Sequence, residues 1–79
     1  MTTEDIEIAN DGSWVKVEIT TTQMTITNMS GVEMRVRFGD TSTSKGFILN
    51  PNDTVIVDTD VYISAVKSLN FNPIVAVTR

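Results

Sequence analysis

Apolar and polar side chains alternate at every second position along most of this 79-residue chain. The clearest case is the run Glu33 to Phe38, in which three charged residues alternate with three apolar ones. Successive side chains of a β-strand point to opposite faces, so this run predicts a half-buried strand. No 11-residue window carries apolar residues at helical spacing without a β-branched run or a turn intruding. The alternation therefore predicts an all-β chain.

Short extended segments recur along the chain, separated by residues typical of turns. They span residues 14–19, 24–28, 33–38, 47–49, 54–57, 61–66 and 74–77. The acidic first dozen residues, 1–12, add either an edge strand or an arm. Six to eight short, mainly antiparallel strands in so few residues predict a small β-sandwich or barrel, with residues 1–79 as a single domain.

Three connections have the composition of tight turns. Residues 28–31, Asn-Met-Ser-Gly, end in Gly31, which can adopt the positive φ of many hairpin turns. Residues 58–60, Asp-Thr-Asp, separate two further strands, and we expect each of these two connections to form a hairpin. The third turn, 50–53, has Pro51 at its second position, where the fixed φ of proline favours a β-turn.

The chain is small for a stable domain, because a domain of this size buries only about 60% of the surface of its unfolded form. Small domains usually add disulfides, a structural metal or oligomerisation. The sequence contains neither cysteine nor histidine, which excludes disulfides and the usual ligands of zinc, copper and haem. We therefore expect no cofactor, and self-association or docking on a larger body is the favoured source of stability.

Catalytic chemistry is poorly represented in this composition. Without histidine or cysteine the chain lacks the commonest base and nucleophile. We therefore predict that the protein is not an enzyme. The Asn and Asp residues of 50–53 and 58–60 would bind calcium only if the two turns lay side by side. Backbone hydrogen bonding in turns explains these residues equally well.

Acidic residues outnumber basic ones by ten to six, which gives a net charge of -4. This charge repels a phosphate backbone, so nucleic acid is not an expected partner. The acidic amino terminus lacks both parts of a secretory signal, and no segment is long enough for a membrane-spanning helix. The expectation is a protein made and folded in a cytoplasm, with no membrane partner.

Seven side chains are candidates for an interface: Trp14, Arg35, Arg37, Lys45, Tyr62, Val75 and Val77. Trp14 and Tyr62 fall on the polar sides of their strands, as interface anchors, sugar-stacking platforms or caps of the core edge. Arg35 and Arg37 share the outer side of one strand, where they either pair with nearby acids or meet an acidic partner.

The remaining candidates come from a loop and from the last strand. Lys45 belongs to the polar loop 39–46, the longest gap between apolar segments in the body of the chain and a natural place for contacts. Val75 and Val77 alternate with two further apolar residues, so the last strand is apolar on both faces. Such a strand is either central in its sheet or covered by another molecule.

Four features follow one another between residues 14 and 66. They are a threonine-rich strand at 24–28, an Asn-x-Ser-Gly turn at 28–31, an Arg-Phe-Gly strand end at 37–39 and a Gly-Phe-x-Leu-x-Pro turn at 46–51. This succession resembles small virion proteins of tailed bacteriophages, of the head-decoration or head-fibre kind. The resemblance covers about two thirds of the chain and is one of pattern.

The resemblance to phage virion proteins implies a compact β-sandwich or barrel that binds the phage capsid or a connector protein. It implies a symmetric homo-oligomer, commonly a trimer, with no catalytic residues. Such a protein is assembled in the host bacterial cytoplasm and resides in the virion. A neck or tail connector piece and a small carbohydrate-binding module are the alternative functions.

Overall fold

A computed structural model describes residues 2–38, 46–66 and 69–79. These residues form eight short strands: β1 Thr3–Glu7, β2 Val15–Val17, β3 Met24–Asn28, β4 Met34–Phe38, β5 Gly46–Leu49, β6 Thr54–Val57, β7 Val61–Ala65 and β8 Ile74–Thr78. The prediction of an all-β chain with six to eight short strands is confirmed. No helix long and apolar enough to cross a membrane occurs among the described residues.

The strands form two four-stranded sheets that pack against each other as a sandwich. Their orders are β1-β8-β3-β6 and β2-β7-β4-β5, and the pairings between neighbouring strands are antiparallel. We refer to them as the first and the second sheet. The first strand of the chain, β1, lies at an edge of the first sheet, which is one of the two arrangements expected for the amino-terminal residues.

The pairing of the strands is that of a long hairpin rolled up on itself. β1 pairs with β8, β2 with β7, β3 with β6 and β4 with β5. An eight-stranded, two-sheet arrangement of this kind is a jelly roll. Among the eight described strands, only β4 and β5 are both consecutive in the chain and adjacent in a sheet.

The two hairpins predicted at 28–31 and 58–60 are wrong. β3 and β4 lie in different sheets, and so do β6 and β7, so both connections cross from one sheet to the other. Part of the second crossing is held by Asp60, whose Oδ1 accepts a hydrogen bond of 2.8 Å from the Ile19 N–H in the β2–β3 connection. A turn composition alone does not distinguish a hairpin from a crossing, because both need residues that reverse the chain.

Asn28 explains the crossing after β3. Its buried Nδ2 donates to the carbonyl oxygens of Val32 at 2.8 Å and of Leu49 at 3.0 Å, and Leu49 belongs to the opposite sheet. Its Oδ1 accepts from the N–H and the hydroxyl of Ser30. The side chain thus joins the two sheets at one end. Gly31, which is able to adopt positive φ, does not do so.

The turn predicted at 50–53 is present. The Asp53 N–H donates to the Asn50 carbonyl oxygen at 3.0 Å, and Asn52 has a φ of 67°. Proline at the second position and a left-handed residue at the third are the features of a type II turn. This turn and the one at 58–60 lie at opposite ends of β6, which is about 13 Å long. The two turns are therefore not side by side, as a shared calcium site would require.

The interior between the sheets is apolar. Its buried residues are Ile8, Val17, Met24, Ile26, Met34, Val36, Leu49, Val57, Val61, Ile63, Ala65, Val75 and Val77. The alternation in β3 and β4 is therefore the one expected from sequence. β2 covers only Val15–Val17 of the segment predicted at 14–19, and Ile19 packs at the margin of the core.

Val75 and Val77 are in this interior and are not part of an interface. Both are fully buried, because β8 lies between β1 and β3 in the middle of the first sheet. The central position accounts for the apolar composition of β8, so no covering molecule is needed for its inner side. Their selection as interface residues is corrected on this point.

Candidate functional site

The outer surface of the second sheet brings together four of the predicted candidates. Trp14, Arg35, Arg37 and Tyr62 lie on it together with Lys16. We name these five residues the basic aromatic face. Their side chains alternate with those of the core, so the face results from the same period of two that builds the interior.

The strand register makes this face continuous. Lys16 on β2 lies opposite Tyr62 on β7, and Tyr62 lies opposite Arg37 on β4. In the next row Arg35 lies opposite Ser64. Directly opposite residues of antiparallel strands have Cβ atoms about 4.5 to 5.5 Å apart. Side chains from three strands are therefore neighbours on one surface.

Trp14 lies against the guanidinium groups of both arginines. The Cζ atom of Arg35 is 5.1 Å from the centroid of the indole ring, and that of Arg37 is 5.8 Å away. Both distances fall within the range of about 6 Å for cation–π contacts. Trp14 precedes β2 by one residue, so the β2–β7 register brings it level with the small, buried Ser64. The small side chain leaves room for Trp14 and Arg35 to meet above it.

Arg35 is held in position by the strand beside it. Its Nε donates to the hydroxyl of Ser64 at 3.2 Å, and its Nη2 lies 3.5 Å from the carbonyl oxygen of Ala65. Together with the contact to Trp14, these interactions orient the planar guanidinium before any partner arrives. A guanidinium held in this way loses less conformational freedom on binding than one on an unrestrained side chain.

A turn before β2 delivers Trp14 to the face. Gly12 has a φ of 87°, a left-handed conformation that favours glycine. The Asp11 Oδ1 accepts a hydrogen bond of 2.9 Å from the Ser13 N–H. Because this bond favours the ionised carboxylate, it lowers the pKa of Asp11 below its ordinary value of 3.8.

This face gathers basic residues in a chain that is acidic overall. It carries three of the six basic residues in a chain whose net charge is -4. Lys16 lies 3.8 Å from the carboxylate of Asp60 at the margin of the face, and both side chains are well exposed to solvent. Ion pairs of this kind contribute little to stability.

A shallow groove of about 160 Å³ runs beside the two arginines. It is lined by Arg35, Arg37, Gly46, Phe47 and Ile48. Gly46 makes a close backbone approach, since a Cβ atom there would lie 2.0 Å from the Val36 carbonyl oxygen. Ile48 is 45% exposed and adds apolar area next to the charged groups. A basic surface with an apolar neighbour suits a protein partner.

Sequence reasoning missed two members of this region. Lys16 is not among the predicted candidates, although the period of two places it on the same side of its strand as Trp14. Ser64 is not a candidate from sequence, because its small size matters only where Trp14 and Arg35 meet above it, and that meeting depends on the neighbouring strands. Lys45, the remaining candidate, lies outside the described residues.

A larger cavity of about 300 Å³ lies at the end of the sandwich that carries the 50–53 turn. It is lined by Gly31, Val32, Glu33, Pro51, Val66 and Leu69. Met29 and Phe71, in the connections at the same end, are exposed apolar side chains. None of the candidates within the described residues lines this cavity. Isolated large apolar residues within turns, such as Met29 and Phe71, are the sequence signal that could have indicated it.

Comparison of the chain with known protein families, with curated proteins and with solved structures found no match. Its function is therefore inferred from the fold and from the chemistry of its surfaces.

Proposed function

We propose that this chain is a non-enzymatic structural virion protein of a tailed bacteriophage, a capsid-decoration or head-fibre component. In this proposal it forms a homo-oligomer and binds the phage shell through the basic aromatic face. The observation that carries the proposal is the gathering of two aromatic and three basic side chains on one face of an otherwise acidic protein. Trp, Tyr and Arg are the residues most enriched among interface hot spots.

The electrostatics of the chain favour a protein partner with an acidic or carbonyl-rich surface. Arginine binds carboxylates through paired hydrogen bonds and stacks on planar groups. A nucleic acid would meet three cations on the face but ten acidic residues in the chain as a whole. The exposed Ile48 beside the arginines adds an apolar contact that a phosphate backbone does not use.

The fold agrees with a role in assembly. Jelly rolls occur in viral capsid proteins and in lectin domains, which is an analogy at the level of fold and not of site. The interior of this sandwich is filled by apolar side chains from both sheets, so its binding surfaces lie on the outside. A domain with a filled interior and a prepared outer face is suited to attachment more than to turnover.

Binding to the shell tests the proposal directly. The purified chain is mixed with shells that lack it, and the bound fraction is measured by co-sedimentation over a range of concentrations. We expect Trp14→Ala to weaken binding by about 30-fold or more, because hot-spot residues contribute about 2 kcal/mol or more. Thr27→Ala, on the outer side of the first sheet, is the control and should bind like the unmodified chain.

The same experiment distinguishes between possible positions of the protein within a virion. Binding to isolated connector complexes in place of shells would move the protein to the neck or tail. Failure to bind shells and connectors alike would overturn the proposal.

A small carbohydrate-binding module is the second candidate, because Trp14 and Tyr62 share one outer face. Two guanidinium groups already lie over the indole ring, and a sugar that stacked there would have to displace them. The chain contains a single tryptophan, so its fluorescence reports on this position alone. Saturable changes on glycan titration would support the module, and an unchanged signal would reject it.

A further inference from the structure

The two long edges of the sandwich differ in chemistry. β1 and β2 form one edge, and β5 and β6 form the other. β1 contains three acidic residues and β2 contains a lysine, whereas β5 and β6 contain no charged residue. Charged side chains on an edge strand oppose pairing with another chain. Among the described edge strands, only β5 and β6 contain no charged side chain, and Asp53 and Asp58 lie just beyond the two ends of β6.

β6 has the composition of a strand within a sheet although it lies at an edge. Its four residues, Thr-Val-Ile-Val, are all β-branched, a side-chain type that favours extended pairing. Ile56, on the outer side of the strand, is 65% exposed. An uncharged, β-branched edge of this kind is a template for a further strand.

The backbone of β6 also has hydrogen-bonding groups that point outward. The Asn28 N–H donates to the Asp53 carbonyl oxygen at 3.0 Å, immediately before the β3–β6 pairing begins. Hydrogen-bonded and non-hydrogen-bonded pairs alternate along an antiparallel ladder. Val55 and Val57 therefore bond to β3, and the N–H and C=O groups of Thr54 and Ile56 point away from it.

We propose that β6 pairs with β6 of a second copy of this chain, antiparallel about a two-fold axis at Ile56. The pairing joins the first sheets of two copies into one eight-stranded sheet. This dimer would be the homo-oligomer of the proposed virion function, and its biological role rests on that proposed function. The contact uses an edge of the first sheet, so the basic aromatic face on the second sheet stays open to the shell.

A second copy fits this edge because a two-fold axis places each side chain opposite a defined counterpart. Ile56 meets Ile56 of the second copy, and Thr54 meets Asp58, so no two carboxylates face each other. The same operation on β1, centred at Asp5, would oppose two carboxylates, which is destabilising. The strand is short and the contact is smaller than standard interfaces of about 1,200 to 2,000 Å². Association in solution is therefore weak and concentration-dependent.

The pairing is tested by sedimentation of the chain at concentrations up to about 1 mM, because a dissociation constant well above about 1 mM corresponds to negligible association. We expect a species of twice the 8.7 kDa chain mass. Ile56→Lys and Ile56→Glu should each be monomeric, because each opposes two like charges at the axis. An equimolar mixture of the two should restore the dimer, because lysine then faces glutamate. Circular dichroism checks that each variant keeps its β structure.

Thr25→Lys is the matched control, since Thr25 pairs with Ile56 on the same surface but lies one strand inward. It should leave the dimer intact. Cross-linking gives a second readout, because the chain has no cysteine of its own. Ile56→Cys should oxidise to a dimer, as paired Cα atoms about 5.5 Å apart suit a disulfide. Thr25→Cys should not.

A monomer at the highest concentration, a trimer, or equal cross-linking of the two cysteine variants would overturn the pairing. Loss of the dimer in Thr25→Lys would also overturn it, because the outer faces would then be in contact. A monomeric chain that still binds shells would reject the pairing and leave the proposed shell binding through the basic aromatic face standing. A dimer that ignores shells and connectors would reject the proposed function and leave the pairing.

Discussion

The two outer faces of this sandwich differ although the inner faces are alike. Both sheets turn apolar side chains inward at every second position. Outward, the second sheet presents the basic aromatic face, whereas the first presents mainly threonine and aliphatic residues. The threonine and aliphatic residues are Thr3, Thr25, Thr27, Thr54, Thr78, Ile56, Ile74 and Ala76. Asp5 and Glu7 of β1 lie on the same outer side. The inner faces provide the fold, and the difference outside is where function is to be sought.

The threonine-rich surface offers few anchors to a partner. The hydroxyls of Thr3 and Thr78 hydrogen-bond to each other at 2.7 Å, and those of Thr27 and Thr54 do so at 2.8 Å. These pairs support the sheet by joining neighbouring strands on its outer side. The first sheet is therefore proposed to meet a partner at its β6 edge, and the second sheet across its face.

Truncation of an interior side chain should have the largest effect, because both outer faces depend on the same folded core. Ile63→Ala should destabilise the domain by about 2 to 5 kcal/mol, a large part of the stability of a small domain. Urea unfolding followed by tryptophan fluorescence measures the change. The exposed Ile56→Ala should change stability by about 0.5 kcal/mol or less. Equal effects of the two variants would contradict the assignment of core and surface.

Loss of the link between the sheets at Asn28 should have the next largest effect. Asn28→Ala removes the amide donor to the carbonyl oxygens of Val32 and Leu49 and leaves the buried Leu49 oxygen without this bond, at a cost of about 1 to 3 kcal/mol of unfolding free energy. Thr27→Ala, next to it on the outer surface, should lose much less. Denaturant midpoints give both values. An unaffected Asn28→Ala variant would show that the crossing does not depend on this side chain.

The inner and outer positions of most strands were predictable from sequence, since the period of two is a local property. Met24, Ile26, Met34 and Val36 could be assigned to the core from their spacing alone. The partner of each strand could not be predicted in this way. The turn after β3 has hairpin composition, yet Asn28 directs the chain to the opposite sheet through contacts with Leu49, 21 residues away.

The candidate site could be predicted residue by residue but not as a surface. Alternation placed Trp14, Tyr62 and the two arginines on the polar sides of their strands. Their meeting depends on β7 lying between β2 and β4, which is decided by pairing between distant segments. The apolar last strand left two explanations open from sequence. The strand order shows that β8 is central in its sheet and that Val75 belongs to the core.

The contact between Trp14 and Arg35 should contribute a smaller, measurable coupling to stability. A double-mutant cycle of Trp14→Leu and Arg35→Met should give an interaction of about 0.5 to 1 kcal/mol, as for cation–π pairs at exposed sites. A parallel cycle of Thr25→Ala and Ile74→Ala on the other face serves as the control and should give less. A coupling near zero for the first cycle would mean that the ring and the guanidinium are not held together.

The smallest effect is expected at the turn that delivers Trp14. The pKa of Asp11 is lowered in the folded state, so the stability that it contributes is present above pH 3.8 and is lost as the pH falls through its folded pKa. Asp11→Ala should therefore lower the melting temperature slightly at pH 7. The difference from the unmodified chain should vanish in strong acid. A difference that persists there would contradict the role of the ionised carboxylate.

Shell binding of two variants with the same net charge tests the central claim most directly. Arg35→Ala removes one positive charge from the basic aromatic face, and Thr25→Glu adds one negative charge to the opposite face, so each changes the net charge from -4 to -5. We expect Arg35→Ala to weaken binding by about tenfold or more, while Thr25→Glu should bind like the unmodified chain. Equal losses in both variants, or no loss in either, would contradict the assignment of binding to this face.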